Sequence, residues 1–170
     1  MAEPRRLECD VVRVWPPADP IAFRQGLSKL ATSAAIVACQ TPDGPRGLLV
    51  GSVLTVSTAP PRLLVCVEKA SAAHVELLKA EAVSIALLGA DQRQIADVFD
   101  VDGPRFDATR WRLDPATPPE LNDALAAFNG PIRCRIDAGA ATLFVIDVST
   151  ARSRDGSPLV RLAGAVQALG

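Results

Sequence analysis

The sequence predicts an α+β fold, an antiparallel β-barrel with peripheral helices. Three observations carry this. Short apolar, partly β-branched runs recur along the chain between Pro, Gly and Asp turn signals. Helical spacing is confined to three short segments that do not alternate regularly with the strands. No G-x-G-x-x-G is present, which argues against a doubly wound nucleotide-binding sheet. The 170 residues are 49% hydrophobic and 22% charged, which suits one folded domain with a buried core.

Residues 1–18 are charged and Pro-rich and read as an N-terminal arm, leaving 19–170 as the domain. Asp19-Pro20 is a helix start, an acidic cap followed by Pro at the first helical position. Phe23, Leu27 and Leu30 then follow at helical spacing, predicting a helix over 20–31. Ala34 to Cys39 and Arg46 to Val56 read as two strands of a hairpin, joined through Thr41-Pro42-Asp43-Gly44 by a four- to five-residue loop. After Pro60-Pro61, Arg62 to Val67 is a third strand. Ser71 is a candidate cap for a helix over 71–80 carrying Val75, Leu77 and Leu78. Val83 to Leu88 is a fourth strand, and Asp91 opens a helix over 90–99 with Ile95, Val98 and Phe99 on one face. Residues 100–120, dense in Pro, Gly and Asp, predict an irregular surface excursion. Leu121 to Phe128 fits a helix by propensity and a strand by length. Ile132 to Ile136 and Thr142 to Thr150 are strands, and Asp155-Gly156 reads as a hairpin turn before Leu159 to Leu162.

Composition narrows the function. The formal net charge is -1 and no basic stripe is present, so neither nucleic acid nor an anionic membrane surface is an expected partner. No apolar run reaches the roughly 20 residues of a membrane span. The first residues lack the apolar segment of a secretion signal, so a cytoplasmic location is expected. The four cysteines form no C-x-x-C pair and three sit in apolar runs, where they read as buried thiols. A single His leaves no multi-His metal site. Nucleophile-elbow, zinc-protease and phosphate-loop motifs are absent, and no catalytic side chain stands out.

Two stretches suggest a ligand. In the run Arg46 to Pro61, small and hydroxyl residues (Gly51, Ser52, Thr55, Ser57) interrupt an apolar strand. Such a strand admits a wide polar ligand close to its backbone and offers it uncharged donors. The same pattern also fits a half-exposed strand facing water. The second stretch is Glu68-Lys69-Ala70-Ser71, where Lys69 could neutralise a phosphate, or simply be solvated beside a capped helix. Thr32-Ser33 either line the same site or end the first helix. His74, alone in a presumed helix, and Phe106 and Trp111, in the excursion, are weaker candidates; such aromatics more often anchor a loop.

The order of these pieces resembles the flavin reductase family, whose members are split β-barrels of the FMN-binding type. The resemblance runs from Phe23-Arg24-Gln25-Gly26-Leu27 through Ala31-Thr32-Ser33, Gly47 to Ser57, Pro60-Pro61 and Leu63 to Val67. It continues through Lys69-Ala70-Ser71, Ala90-Asp91-Gln92, Arg105-Phe106, Trp111 and Asp137-Ala138-Gly139. It implies that FMN or FAD is held by Thr32, Ser33, Val50, Gly51, Ser52, Ser57, Lys69 and Ser71. It also implies a homodimer, NAD(P)H as co-substrate, and delivery of reduced flavin to a partner monooxygenase component. The sequence departs from the family at several positions: Gly51 stands where Ser or Asn is common, and Val53 and Leu54 where Phe or Thr-type residues are common. The pattern Asp-x-Gly-Asp-His becomes Asp137-Ala138-Gly139-Ala140-Ala141, which removes the imidazole that such enzymes place near the nicotinamide. The aromatic and basic residues common near the C-terminus give way to Arg161-Leu162-Ala163-Gly164-Ala165. These departures leave open a flavin-binding protein without NAD(P)H-dependent reductase activity.

Overall fold

Strand propensity and turn chemistry produce a chain that is mostly strand. The computed structural model describes residues 15–100 and 106–169, and the backbone of Arg5–Arg6, which forms β1. Helix α1 (Pro20–Leu27) precedes β2 (Thr32–Ser33), β3 (Ala35–Thr41), β4 (Gly44–Val50), β5 (Val53–Thr58) and β6 (Pro61–Glu68). Helix α2 (His74–Lys79) leads to β7 (Ala82–Leu87), and a 3-10 turn (Ala90–Gln92) runs into α3 (Arg93–Phe99). Then follow β8 (Trp111–Asp114), β9 (Thr117–Leu121), β10 (Ala126–Asp137), β11 (Ala141–Asp147), β12 (Thr150–Ser153), β13 (Leu159–Leu162) and β14 (Ala165–Ala168).

The main sheet runs β4-β3-β7-β10-β11-β6-β5, with β1 and β12 also on β10. Every pairing along that path is antiparallel. Its end strands β4 and β5 are consecutive in the chain, linked by Gly51-Ser52, yet they do not pair with each other. The sheet therefore curls back on itself and stays open at that link: a split barrel, not a closed one. Strand β10 spans both halves. Its first residues pair with β7 and β12, and from Ile132 onward it pairs with β11. Gly130 sits at this handover, and a Cβ there would lie 1.8 Å from the Asp147 carbonyl oxygen.

The core has two compartments, divided by β3. Ala35, Val37 and Cys39 face the barrel interior with Val65, Val67, Ile85, Phe144 and Ile146. Ala34, Ile36 and Ala38 face the other way, toward Ile95, Phe99, Trp111 and Leu159. Burial on both faces explains why β3 reads as an unbroken apolar run. Burial also raises the Cys39 thiol to about 11, so it stays protonated. The buried Ser84 hydroxyl of β7 donates to the Pro119 carbonyl.

Several sequence expectations change. The run Arg46 to Val56 is two strands, because the chain passes at Gly51-Ser52 from pairing with β3 to pairing with β6. The hairpin before it is tighter than expected. Thr41 pairs with Gly44 across Pro42-Asp43, and Gly44 takes a positive φ of 105°. Helix α1 ends at Leu27 and buries none of its residues. Helix α2 begins at His74, and Ser71 contributes its carbonyl, not a side-chain cap. The excursion holds the β8–β9 hairpin, pinned by mutual packing of Phe99, Phe106 and Trp111 at centroid distances of 4.8–5.4 Å. Leu121 closes β9 and Ala126 opens β10, so the ambiguous segment is strand at both ends. The run 142–150 divides into β11 and β12, and β12 and β13 pair with different partners, so Asp155-Gly156 links sheets and is no hairpin. Cys66 and Cys134 are only partly buried. Most of the expected arm, including Cys9, falls outside the described residues, and residues 101–105 do so entirely. No described helix is long and apolar enough to cross a membrane.

Candidate functional site

The opening at Gly51-Ser52 is the mouth of a cleft of about 740 Å³. One wall is β4 with its exit (Leu48 to Ser52), and the opposite wall is the end of β6 (Cys66, Val67, Glu68) with Ser71. Leu27, Leu30, Thr32, Arg161, Ala163 and Gly164 complete the lining, with Thr32 and Arg161 paired across β2 and β13. Ala163 and Gly164 form the two-residue turn between β13 and β14, with φ of 51° and 81°. Positive φ at both positions matches a type I′ hairpin.

The cleft needs glycine at 51. A Cβ there would lie 2.8 Å from Thr32 Oγ1 and 3.6 Å from Arg161 Cδ, so a side chain would fill the space those residues frame. The Ser71 hydroxyl oxygen is shielded from solvent and has no hydrogen-bond partner among the described residues. The Ser33 hydroxyl is in the same condition. The Ser52 carbonyl accepts from the Cys66 N–H at 3.2 Å, tying the two walls together. Burial, helped by Glu68, pushes the Cys66 thiol up, so no thiolate nucleophile faces the cleft.

Of the residues the sequence singles out, Thr32, Val50, Gly51, Ser52 and Ser71 meet around this cleft. Ser33 is next to it on β2, opposite Val160. Ser57 lies outside the lining, near the end of β5, where its hydroxyl donates to the Pro60 carbonyl in the turn that follows. Lys69 also lies outside the lining. Its Nζ is 2.8 Å from Asp137 Oδ1, which in turn accepts from the Gly139 N–H at 2.9 Å. With the Lys69 N–H donating to the Ala140 carbonyl, the Lys69 junction is locked to the turn that precedes Ala141. Ala141 pairs with Glu68 across β6, which puts position 141 beside a cleft residue.

His74 is buried. Its Nε2 is 2.9 Å from Thr142 Oγ1 and its ring meets Phe144 edge-on. Burial, with Lys69 adding to it, lowers its basicity, so it is a neutral structural group at the start of α2. Arg161 was not marked by the sequence as a binding residue. It reaches the cleft through a long-range pairing, Arg161 with Thr32 across β13 and β2, which has no local signal.

The fold and cleft together define a split-barrel ligand-binding domain, and comparison with known proteins gives its family. Residues 27–170 match the family described as "Flavin reductase like domain", and the chain belongs to that family. It is 34% identical to an FMN reductase (NADH), SmoA, of Agrobacterium fabrum, over 85% of this chain and 83% of that one. It is 36% identical to an FMN reductase (NADH), RutF, of Methylorubrum extorquens, over 71% of this chain; the match spans 58% of that relative's length. Among solved structures it is similar to BorF, the flavin reductase component of a bacterial two-component tryptophan halogenase. There the TM-score is 0.78 and the identity 30%, over 89% of this chain and 98% of that one.

Proposed function

We propose that this chain is an NADH-dependent flavin reductase that binds FMN or FAD in the Gly51-Ser52 cleft and passes reduced flavin to a partner oxygenase. The observation that carries the reading is the cleft itself. It is apolar along Leu48, Leu49, Val50 and Val67, as a flat ring system requires, and it holds hydroxyls at Thr32, Ser52 and Ser71. The unpartnered Ser71 hydroxyl and the space kept by Gly51 fit a bound polar group. The names of SmoA, RutF and BorF support the same reading, with NADH as donor and a two-component system as setting.

Flavin, when bound, supplies the redox chemistry by accepting a hydride from the nicotinamide. This chain's residues position it. The walls of β4 and β6 offer apolar surface, Thr32, Ser52 and Ser71 offer hydrogen bonds, and Gly51 allows close approach to the backbone. Ser33, next to Thr32 on β2, offers a further unpartnered hydroxyl at the edge of the cleft. Lys69 acts indirectly, by holding the Asp137 turn. No acid–base pair is needed, because both reacting groups belong to cofactors.

A homodimer is part of the proposal, as is a cytoplasmic setting with residues 19–170 as one domain. Helix α1 exposes Ile21 (67%) and Phe23 (59%), and edge strand β5 exposes Leu54 (61%). A second copy covering α1 would also cover Leu27 and Leu30, which line the cleft. The test is steady-state NADH consumption with FMN, FAD and no flavin. Flavin-dependent turnover is expected. Flavin binding without turnover would favour the second reading, a flavin carrier, to which Ala141 in place of the family's His points. Absence of both would exclude either.

A further inference from the structure

Among the described residues that line the cleft, Arg161 is the one cation and Glu68 the one anion. Its stem runs over Gly51, and its backbone pairs with Thr32. Its guanidinium has one partner among the described residues, Asp100 at the end of α3, at a loose 3.8 Å. Asp100 is itself largely exposed. A guanidinium has five donors in a planar fork suited to a phosphate, so most of this one's capacity is unused. Lys69, the other cation near the cleft, is tightly held by Asp137 at 2.8 Å. The shielded, unpartnered Ser71 hydroxyl belongs to the same cleft.

We propose that Arg161 is the phosphate anchor of the cleft, holding the phosphate of the bound flavin, and that Asp100 is the counter-ion the phosphate displaces. The inference rests on flavin occupying the cleft. It makes the charged contact a property of this chain's β13. Two consequences follow. Discrimination between FMN and riboflavin, which lacks the phosphate, comes from Arg161 and not from Lys69. Removing the Asp100 charge frees the guanidinium and tightens FMN binding.

The experiment is equilibrium titration of the full-length protein with FMN and with riboflavin, followed by flavin fluorescence, at low and high salt. Wild type is expected to prefer FMN over riboflavin, with the preference shrinking as salt rises. Arg161→Ala should weaken FMN by about tenfold to a hundredfold and leave riboflavin within about twofold. Arg161→Lys should recover part of the loss, and Asp100→Asn should tighten FMN alone. Unchanged riboflavin affinity in Arg161→Ala shows that the cleft is intact. An unaltered FMN-to-riboflavin ratio in Arg161→Ala, or loss of that ratio in Lys69→Ala instead, overturns the proposal while leaving the flavin reading standing. Failure of wild type to bind either flavin overturns both.

Discussion

Replacing Ser71 with Ala should move stability and binding in opposite directions. The Ser71 oxygen is shielded and unpartnered among the described residues, so the free protein bears the cost of desolvating a hydroxyl without a compensating bond. Removing it leaves a methyl group in a cleft lined largely by apolar side chains. The expected gain in the flavin-free protein is about 1 kcal/mol. For a domain of this size that is a Tm rise of roughly 2–4 °C. With flavin bound, the same hydroxyl donates to a polar or ionised acceptor, worth about 1.5–3 kcal/mol when the acceptor is a phosphate. Flavin affinity should then fall by roughly tenfold to a hundredfold. Thermal melts without flavin and fluorescence titration with FMN measure the two effects. A Ser71→Ala protein that melts lower than wild type and binds FMN equally well would refute the argument, because the hydroxyl would then have a structural partner and no ligand.

Three further predictions concern other parts of the molecule. Gly130→Ala should destabilise the fold by about 2 kcal/mol or more in urea unfolding, because its Cβ would fall within 1.8 Å of a backbone oxygen at the β10 handover. A loss under 0.5 kcal/mol, roughly, would show that β10 and β11 separate easily there. His74 is held below its ordinary value of 6.5 by burial. The unfolded chain therefore binds the proton first, so the stability this neutral His contributes is full above that value and is lost as pH falls through it toward the folded value. His74→Gln should flatten that part of the stability–pH curve, and an unchanged slope would assign it to other groups. Ala141→His restores an imidazole next to Glu68 at the cleft edge, and should raise kcat/KM for NADH while leaving FMN affinity within about twofold. No gain would mean that another group orients the nicotinamide.

Much of the barrel was legible because local signals and tertiary role agree. Ala34 to Cys39 reads as strand from its composition, and burial on both faces is why that composition is there. The break at Gly51-Ser52 was hidden because both flanking segments have the same β-propensity; only the exchange of pairing partners separates them. The β8–β9 hairpin was masked by Pro118 and Pro119, which normally signal irregular chain. They are tolerated because β9 belongs to a two-stranded ribbon, and the Pro119 carbonyl accepts from Ser84. The site was partly legible for the same reason. Gly51, Ser52 and Ser71 are unusual within their own runs. Lys69 reads in the sequence as a cation available to a phosphate, but its partner Asp137 is 68 residues away and no local pattern reveals it. Arg161 enters only through the pairing of β13 with β2.

The most direct test of the account is a single-turnover reaction under anaerobic conditions, mixing the FMN-saturated protein with NADH. NADH absorbance should decay together with bleaching of the flavin, mole for mole, and far faster than with free FMN. Air admitted afterwards should return the flavin to its oxidised colour. Bound flavin that stays oxidised in the presence of excess NADH would contradict the reductase assignment, even if the cleft proves to be where the flavin sits.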